Sequence, residues 1–244
     1  MNLIQRFHTV HRLLRYRWRT ERAELRYVLG RNFRGGSVFD IGAHRGIYSY
    51  WMHRRFEEGT RIVAFEPQRE LVQFLTDFKR TFHLERMEIA PVGLSSRSGR
   101  LRLRRPPRHW GAATFDELCF DDDQVETFDV PVTTIDDYVA EHPEVRPVQF
   151  VKCDVEYHEA EVLAGAERTL REDRPELLVE WSTPRRAYRE RLFRQMQRLD
   201  YAIYQFEYGR LVPCTTAERH SPPSWELGPN YLFLPRERAA SAAA

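Results

Sequence analysis

The chain has 244 residues, 42% of them hydrophobic and 30% charged, a balance that excludes a disordered polymer and suits one α/β domain with an appendage. Its net charge of +2 hides an asymmetry, because residues 1–36 carry nine arginines against two glutamates and the remainder is acidic. Cys119, Cys153 and Cys214 have no metal-type spacing and cannot all pair, and no uncharged apolar run reaches the roughly 18 residues of a membrane span. The recurring arginines also exclude a signal-peptide core, so a reduced, cytoplasmic setting is expected.

The basic arm comes first. Leu3, Phe7, Val10, Leu14 and Trp18 recur at three- and four-residue steps, which predicts an amphipathic helix packed on the main domain with its arginines solvated. Peripheral contact with a membrane is the sharper alternative, and a nucleic-acid arm a weaker one. Gly35-Gly36 closes the arm at residue 36. The main domain follows over 37–236, and an alanine-rich tail over 237–244 is expected to fray.

Within the main domain, short apolar runs alternate with helical patterns. Strands are predicted over 37–41, 61–65, 87–94, 148–153, 176–179, 202–206 and 231–234, and helices over 46–56, 70–81, 158–170 and 186–199. Strands alternating with helices of about 10–15 residues imply right-handed βαβ units and a mostly parallel sheet. An insert precedes the fourth strand. In it, Leu101 and Leu103 alternate with Arg102 and Arg104, which predicts a half-exposed strand. Residues 105–111 break regular structure and read either as a cover over a crevice, with His109 or Trp110 touching a bound molecule, or equally as an ordinary surface hairpin. Asp121, Asp122 and Asp123 read as a solvated loop, and 126–134 as another strand. Trp225, Tyr231 and Phe233 read as core or interface aromatics.

The first strand ends in Asp40-x-Gly42-x-x-x-Gly46, and Glu66 ends the second. Glycines permit a tight turn, and an acid at the second strand can accept both hydroxyls of a ribose. A dinucleotide and S-adenosylmethionine both use this layout. The loop lacks a complete Gly-x-Gly-x-x-Gly cradle, and Asp40 would repel a pyrophosphate. The cationic cofactor S-adenosylmethionine fits better.

These stretches resemble the FkbM family of S-adenosylmethionine-dependent methyltransferases. The resemblance runs through Val38-Phe39-Asp40-Ile41-Gly42-Ala43-His44-Arg45-Gly46 and Val63-Ala64-Phe65-Glu66-Pro67. It continues through Val132-Thr133-Thr134-Ile135-Asp136, the run from Val151-Lys152-Cys153-Asp154 to Gly165-Ala166, and Arg174-Pro175-Glu176-Leu177-Leu178-Val179-Glu180. It implies a Rossmann-like class I methyltransferase fold, with a mostly parallel seven-stranded sheet and helices on both faces. It also implies methyl transfer, most often to a hydroxyl of a sugar or secondary metabolite. Cofactor contacts are expected from Asp40, Gly42, Ala43, His44, Gly46, Ser49, Glu66, Pro67, Val92, Gly93 and Asp154. Two positions depart from the family pattern: His44 stands where Asn is common, and Tyr157 where Gly is common.

Asp154 ends the fourth strand, with Glu156, His158 and Glu159 directly after it. Together with Glu180 they are the candidates for acceptor binding and proton removal. No metal is required by this reading. The acceptor is expected to be a small molecule or glycan, with a lipid-linked or membrane-associated glycan as an alternative. A nucleic-acid-binding protein, or a cofactor-binding homologue silenced by Tyr157, are further alternatives.

Overall fold

The computed structural model describes residues 1–117, 120, 125–181, 186–215 and 227–242. Cys119, Asp121, Asp122, Asp123 and Trp225 lie outside them. The strands are β1 (Ser37–Ile41), β2 (Arg61–Phe65), β3 (Met87–Ala90), β4 (Gly93–Leu94), β5 (Gly99–Arg105) and β6 (Glu126–Thr133), then β7 (Val148–Cys153), β8 (Glu176–Glu180), β9 (Tyr201–Glu207), β10 (Arg210–Pro213) and β11 (Leu227–Pro235). The α-helices are α1 (Leu3–Arg15), α2 (Arg22–Gly30), α3 (Ile47–Arg55), α4 (Arg69–Phe82), α5 (Ile135–Glu141), α6 (Glu159–Ala164), α7 (Glu167–Glu172), α8 (Arg186–Arg198) and α9 (Arg236–Ala242).

The main sheet has eight strands in the order β10-β9-β11-β8-β7-β1-β2-β3. From β3 to β8 it is parallel, and β11 inserts antiparallel between β8 and β9. The parallel strands are buried on both faces, which explains their continuous apolar runs. Phe39, Val151 and Leu177 enter one core with residues of α5, α6, α7 and α8. Val38, Phe150 and Leu178 enter the other, against Leu25 and Val28 of α2 and Met52 of α3.

Several boundaries differ from the sequence expectation for identifiable reasons. The eighth strand is β10, which the apolar pattern is too short to reveal. It folds back on β9 through Tyr208 and Gly209, both at positive φ (49° and 77°), the geometry of a two-residue type I′ hairpin. The third strand breaks at Pro91, which has no N–H for a ladder. Beyond it, β4 leaves the main sheet and joins β5 and β6 in a separate three-stranded sheet. The helix expected over 158–170 divides at Gly165, where a side chain would meet the Ser95 carbonyl at 2.2 Å. The frayed tail is instead helical through Ala242, with Glu237 ion-paired to Arg174 at 2.8 Å.

The arm is two helices joined by a π-helical turn over Tyr16–Thr20. It packs on the domain, but not by the predicted stripe. Thr9 and Leu13 are its buried positions in α1, and Leu13 also accepts a hydrogen bond from Trp51 Nε1 at 3.2 Å through its carbonyl. Leu3, Phe7, Val10, Leu14 and Trp18 all face solvent.

Candidate active site

From β1 the chain proceeds outward to β2 and β3, and the later strands β7 and β8 fill the other side. The loops after β1 and β7 therefore diverge at a topological switch point, where α/β folds open a crevice. The crevice is walled by Gly42 and His44 after β1, Glu66, Pro67 and Gln68 after β2, and Asp154, Val155 and Glu156 after β7. Val92, Gly93, Leu94, Leu103, Trp110 and Phe115 from the insert side complete it.

Gly42 has φ +74°, and a Cβ there would lie 1.9 Å from the Asp154 carbonyl oxygen. Glycine is thus demanded by the contact between the β1 and β7 loops. Gly46 has φ +71° and abuts Phe78 of α4, so it too serves loop packing. Asp40 was expected to face the cofactor. It is buried behind the loop, where one oxygen accepts from Ser49 N at 2.9 Å and Ser49 Oγ at 2.5 Å. The pair ties β1 to the first turn of α3. Burial pushes the Asp40 carboxyl up to about 6, against the pull of these hydrogen bonds. Asp40, Ala43, Gly46 and Ser49 therefore shape the loop without walling the crevice.

Glu66 does wall it. Its Oε2 accepts from His44 N at 2.9 Å and its Oε1 from Gln68 N at 3.0 Å. Each oxygen retains lone-pair capacity for a second donor. Burial raises this acid to about 7 despite the two backbone donors. His44 has φ +49°, a left-handed conformation that Asn tolerates better than most residues. Burial, Arg45 and Arg12 lower its imidazole to about 4, so the ring is neutral near pH 7. A side chain at Gly111 of the insert would meet this ring at 3.3 Å. Gln68 in turn donates to the Trp110 carbonyl at 3.0 Å and accepts from Arg105 at 3.0 Å. Arg105 is also ion-paired with Glu70 and Glu126, each at 2.8 Å. This chain of contacts holds the insert over the crevice.

On the β7 side, Lys152 is fully buried, with Nζ 3.4 Å from Asp154 Oδ2 and 2.9 Å from Asn230 Oδ1. Burial lowers the ammonium's basicity, but Asp154, Glu21 and Glu180 outweigh that and raise it. Glu21, from the arm, accepts from Tyr48 Oη at 2.5 Å and faces the same ammonium. Glu180 is half-buried beside Asp154. Burial first, then the Asp154 charge, raises it strongly, so it is protonated at neutral pH and donates to Asp154. Glu156 is raised to about 7 by burial and by Asp154.

Glu156 and Tyr157 are consecutive left-handed residues, at φ +51° and +72°. The common family glycine at position 157 therefore answers a backbone demand. Thr114 of the insert donates its hydroxyl to the Glu156 carbonyl, which fixes this turn. Of the predicted catalytic residues only Asp154 and Glu156 wall the crevice; Glu180 sits beside Asp154, and two others are engaged elsewhere. Glu159 is buried, raised to about 8 by burial, and its carboxylate accepts from Tyr157 N at 3.1 Å. His158 Nε2 lies 2.9 Å from Ser95 Oγ and its ring packs on Phe115, with burial lowering its basicity. Neither walls the crevice. Lys152, Glu21, Tyr48 and Asn230 were not anticipated. Lys152 sits inside an apolar strand run, and its partners Asn230, Tyr48 and Glu21 are 78 to 131 residues away in sequence, brought together only when the sheet assembles.

This sheet order and crevice define a class I methyltransferase fold. The Methyltransferase FkbM domain matches residues 40–207, and the chain belongs to that family. Among solved structures, a methyltransferase FkbM from Methylobacillus flagellatus superposes with TM-score 0.51 at 20% identity, over 83% of this chain and 44% of that one. The chain thus spans less than half of that protein. The O-methyltransferase TomG from Streptomyces achromogenes, solved with S-adenosylmethionine, superposes with TM-score 0.50 at 13% identity, over 88% of this chain and 79% of that one. No curated protein matches the chain.

Proposed function

We propose that the protein transfers a methyl group from S-adenosylmethionine to a hydroxyl of a sugar or other small metabolite. Family membership supports methyl transfer, and the crevice residues suit the cofactor. Glu66 has acceptor capacity left for the two ribose hydroxyls. Phe65, Val92 and Leu94 offer an apolar seat for adenine, and no glycine-rich anion cradle competes. Asp154 supplies negative charge for the cationic methionine end. When bound, the cofactor brings a methyl group on a positively charged sulfur.

One observation carries the acceptor reading. Glu156, at about 7, shares the crevice wall with Asp154. A base with this affinity accepts the hydroxyl proton near neutral pH while the oxygen gains the methyl group. Asp154 orients the hydroxyl, and Lys152, Asn230 and protonated Glu180 hold Asp154 in place. Orientation supplies much of the remaining acceleration.

The test is a labelled-methyl assay against pools of sugars, hydroxylated metabolites and amines, with Asp154→Ala as control. Label should enter hydroxyl pools and fall about 100-fold or more in the variant. Label entering only amines would overturn the oxygen assignment. A lipid-linked acceptor is a second reading, favoured by the solvent-facing apolar stripe of α1 beside the crevice.

A further inference from the structure

Among the described residues, seven large hydrophobic side chains are exposed, and six of them lie between Leu3 and Trp18. Leu3 is 82% exposed, Ile4 70%, Phe7 71%, Val10 41%, Leu14 46% and Trp18 59%. They form one continuous strip along α1 and the turn after it. The opposite side of α1 is fixed to the domain by buried Leu13 and Thr9, so the strip is presented on a rigid helix. Asn2 caps that helix reciprocally with Gln5 at 2.8–2.9 Å.

The borders of the strip are cationic. By helical spacing, Arg6 and Arg17 lie along one edge, with Arg15 and Arg19 along the other. Residues 1–20 contain no Asp or Glu. A second copy docked through this face about a two-fold axis would bring arginines against arginines. Nucleic acid would meet the arginines but leave the apolar strip unsatisfied. An anionic bilayer satisfies both, since apolar side chains enter the acyl boundary and the flanking guanidiniums meet lipid phosphates. Trp18 suits the interfacial level, and Arg17 already lies over its ring at 4.7 Å.

We propose that α1 docks the protein on an anionic membrane surface, with Leu3, Phe7, Val10, Leu14 and Trp18 inserted in the interface. The groove between α1 and α4 is lined by Arg12, Arg15, Arg45 and Trp110, and Trp110 also walls the crevice. Docking through α1 therefore sets the insert and the crevice rim beside the lipid.

Co-sedimentation of the full chain with vesicles tests this without reading methyl transfer, so its failure leaves the proposed activity standing. The chain should partition onto phosphatidylcholine vesicles containing about one-third phosphatidylserine, and far less onto phosphatidylcholine alone. Phe7→Glu/Leu14→Glu should lower partitioning at least about tenfold. Both side chains face solvent, so the variant should keep the wild-type circular dichroism and melting midpoint. Arg15→Gln/Arg19→Gln should cost about fivefold per arginine on the anionic vesicles only, and less as salt rises. Equal partitioning of wild type and Phe7→Glu/Leu14→Glu would overturn the proposal. So would a wild-type chain that ignores vesicles and forms a dimer which that variant dissociates.

Discussion

The two sides of the crevice use acidic residues in opposite ways. On the β1–β2 side, each buried acid is claimed by nearby donors, Asp40 by Ser49 and Glu66 by the backbone of His44 and Gln68. On the β7–β8 side, Asp154, Glu156 and Glu180 crowd one another around a single ammonium. Burial raises the acids on both sides, but backbone and hydroxyl donors fix Asp40 and Glu66 in place, whereas the second group is held by one shared ammonium and by its own mutual repulsion. The first arrangement suits holding a constant cofactor. The second suits moving a proton from a variable acceptor.

The largest expected effect falls on the second side. Glu156→Gln should lower kcat by about 10²–10⁴-fold with cofactor affinity little changed. In the wild type, the proposed role of Glu156 as base predicts that kcat/KM rises with pH through about 7, where its carboxyl loses its proton. A variant with unchanged kcat and an unchanged pH profile would remove Glu156 from the chemistry.

Lys152→Met comes next. It strips the compensating charge from Asp154 and Glu21, and should destabilise the fold by about 3 kcal/mol in urea unfolding at neutral pH. The loss should shrink at low pH as the acids protonate. A pH-independent loss would point to packing alone.

The first side should show a different pH signature. Asp40 and Glu66 have raised values, about 6 and about 7, so the folded chain retains protons that the unfolded chain releases. Their contribution is complete below the ordinary carboxyl range of about 4 and is lost as pH rises through about 6–7. Glu66→Gln should flatten this part of the urea-midpoint profile, and an unaltered profile would show that Glu66 is not the titrating group. The smallest effect concerns Tyr157→Gly. Relief of a left-handed side chain is worth about 1 kcal/mol, offset in part by the freer unfolded chain. Melting midpoints should move by only a few degrees.

Legibility in the sequence followed the range of the interactions. The Asp40–Gly46 loop, Glu66 and Asp154 sit at strand ends, so local apolar patterning located them. Their roles were less legible. Asp40 reads as a ligand until Ser49 is seen to hold it, and Gly42 reads as space for a cofactor until the Asp154 carbonyl fills that space. Lys152 gains meaning only when Asn230 and Glu21 arrive from distant segments. The α1 stripe shows the limit of periodicity. It identified the helix correctly, but the face that packs is the one carrying Leu13 and Thr9, and only tertiary structure reveals that.

The account rests on Glu66 and the loop after β1 forming the adenosine site. Isothermal titration of S-adenosylhomocysteine into the wild-type protein and Glu66→Ala tests this directly. A dissociation constant on the order of 1–100 μM is predicted for the wild type, weakened at least about tenfold in the variant. No binding to the wild type, or equal binding to both, would contradict it.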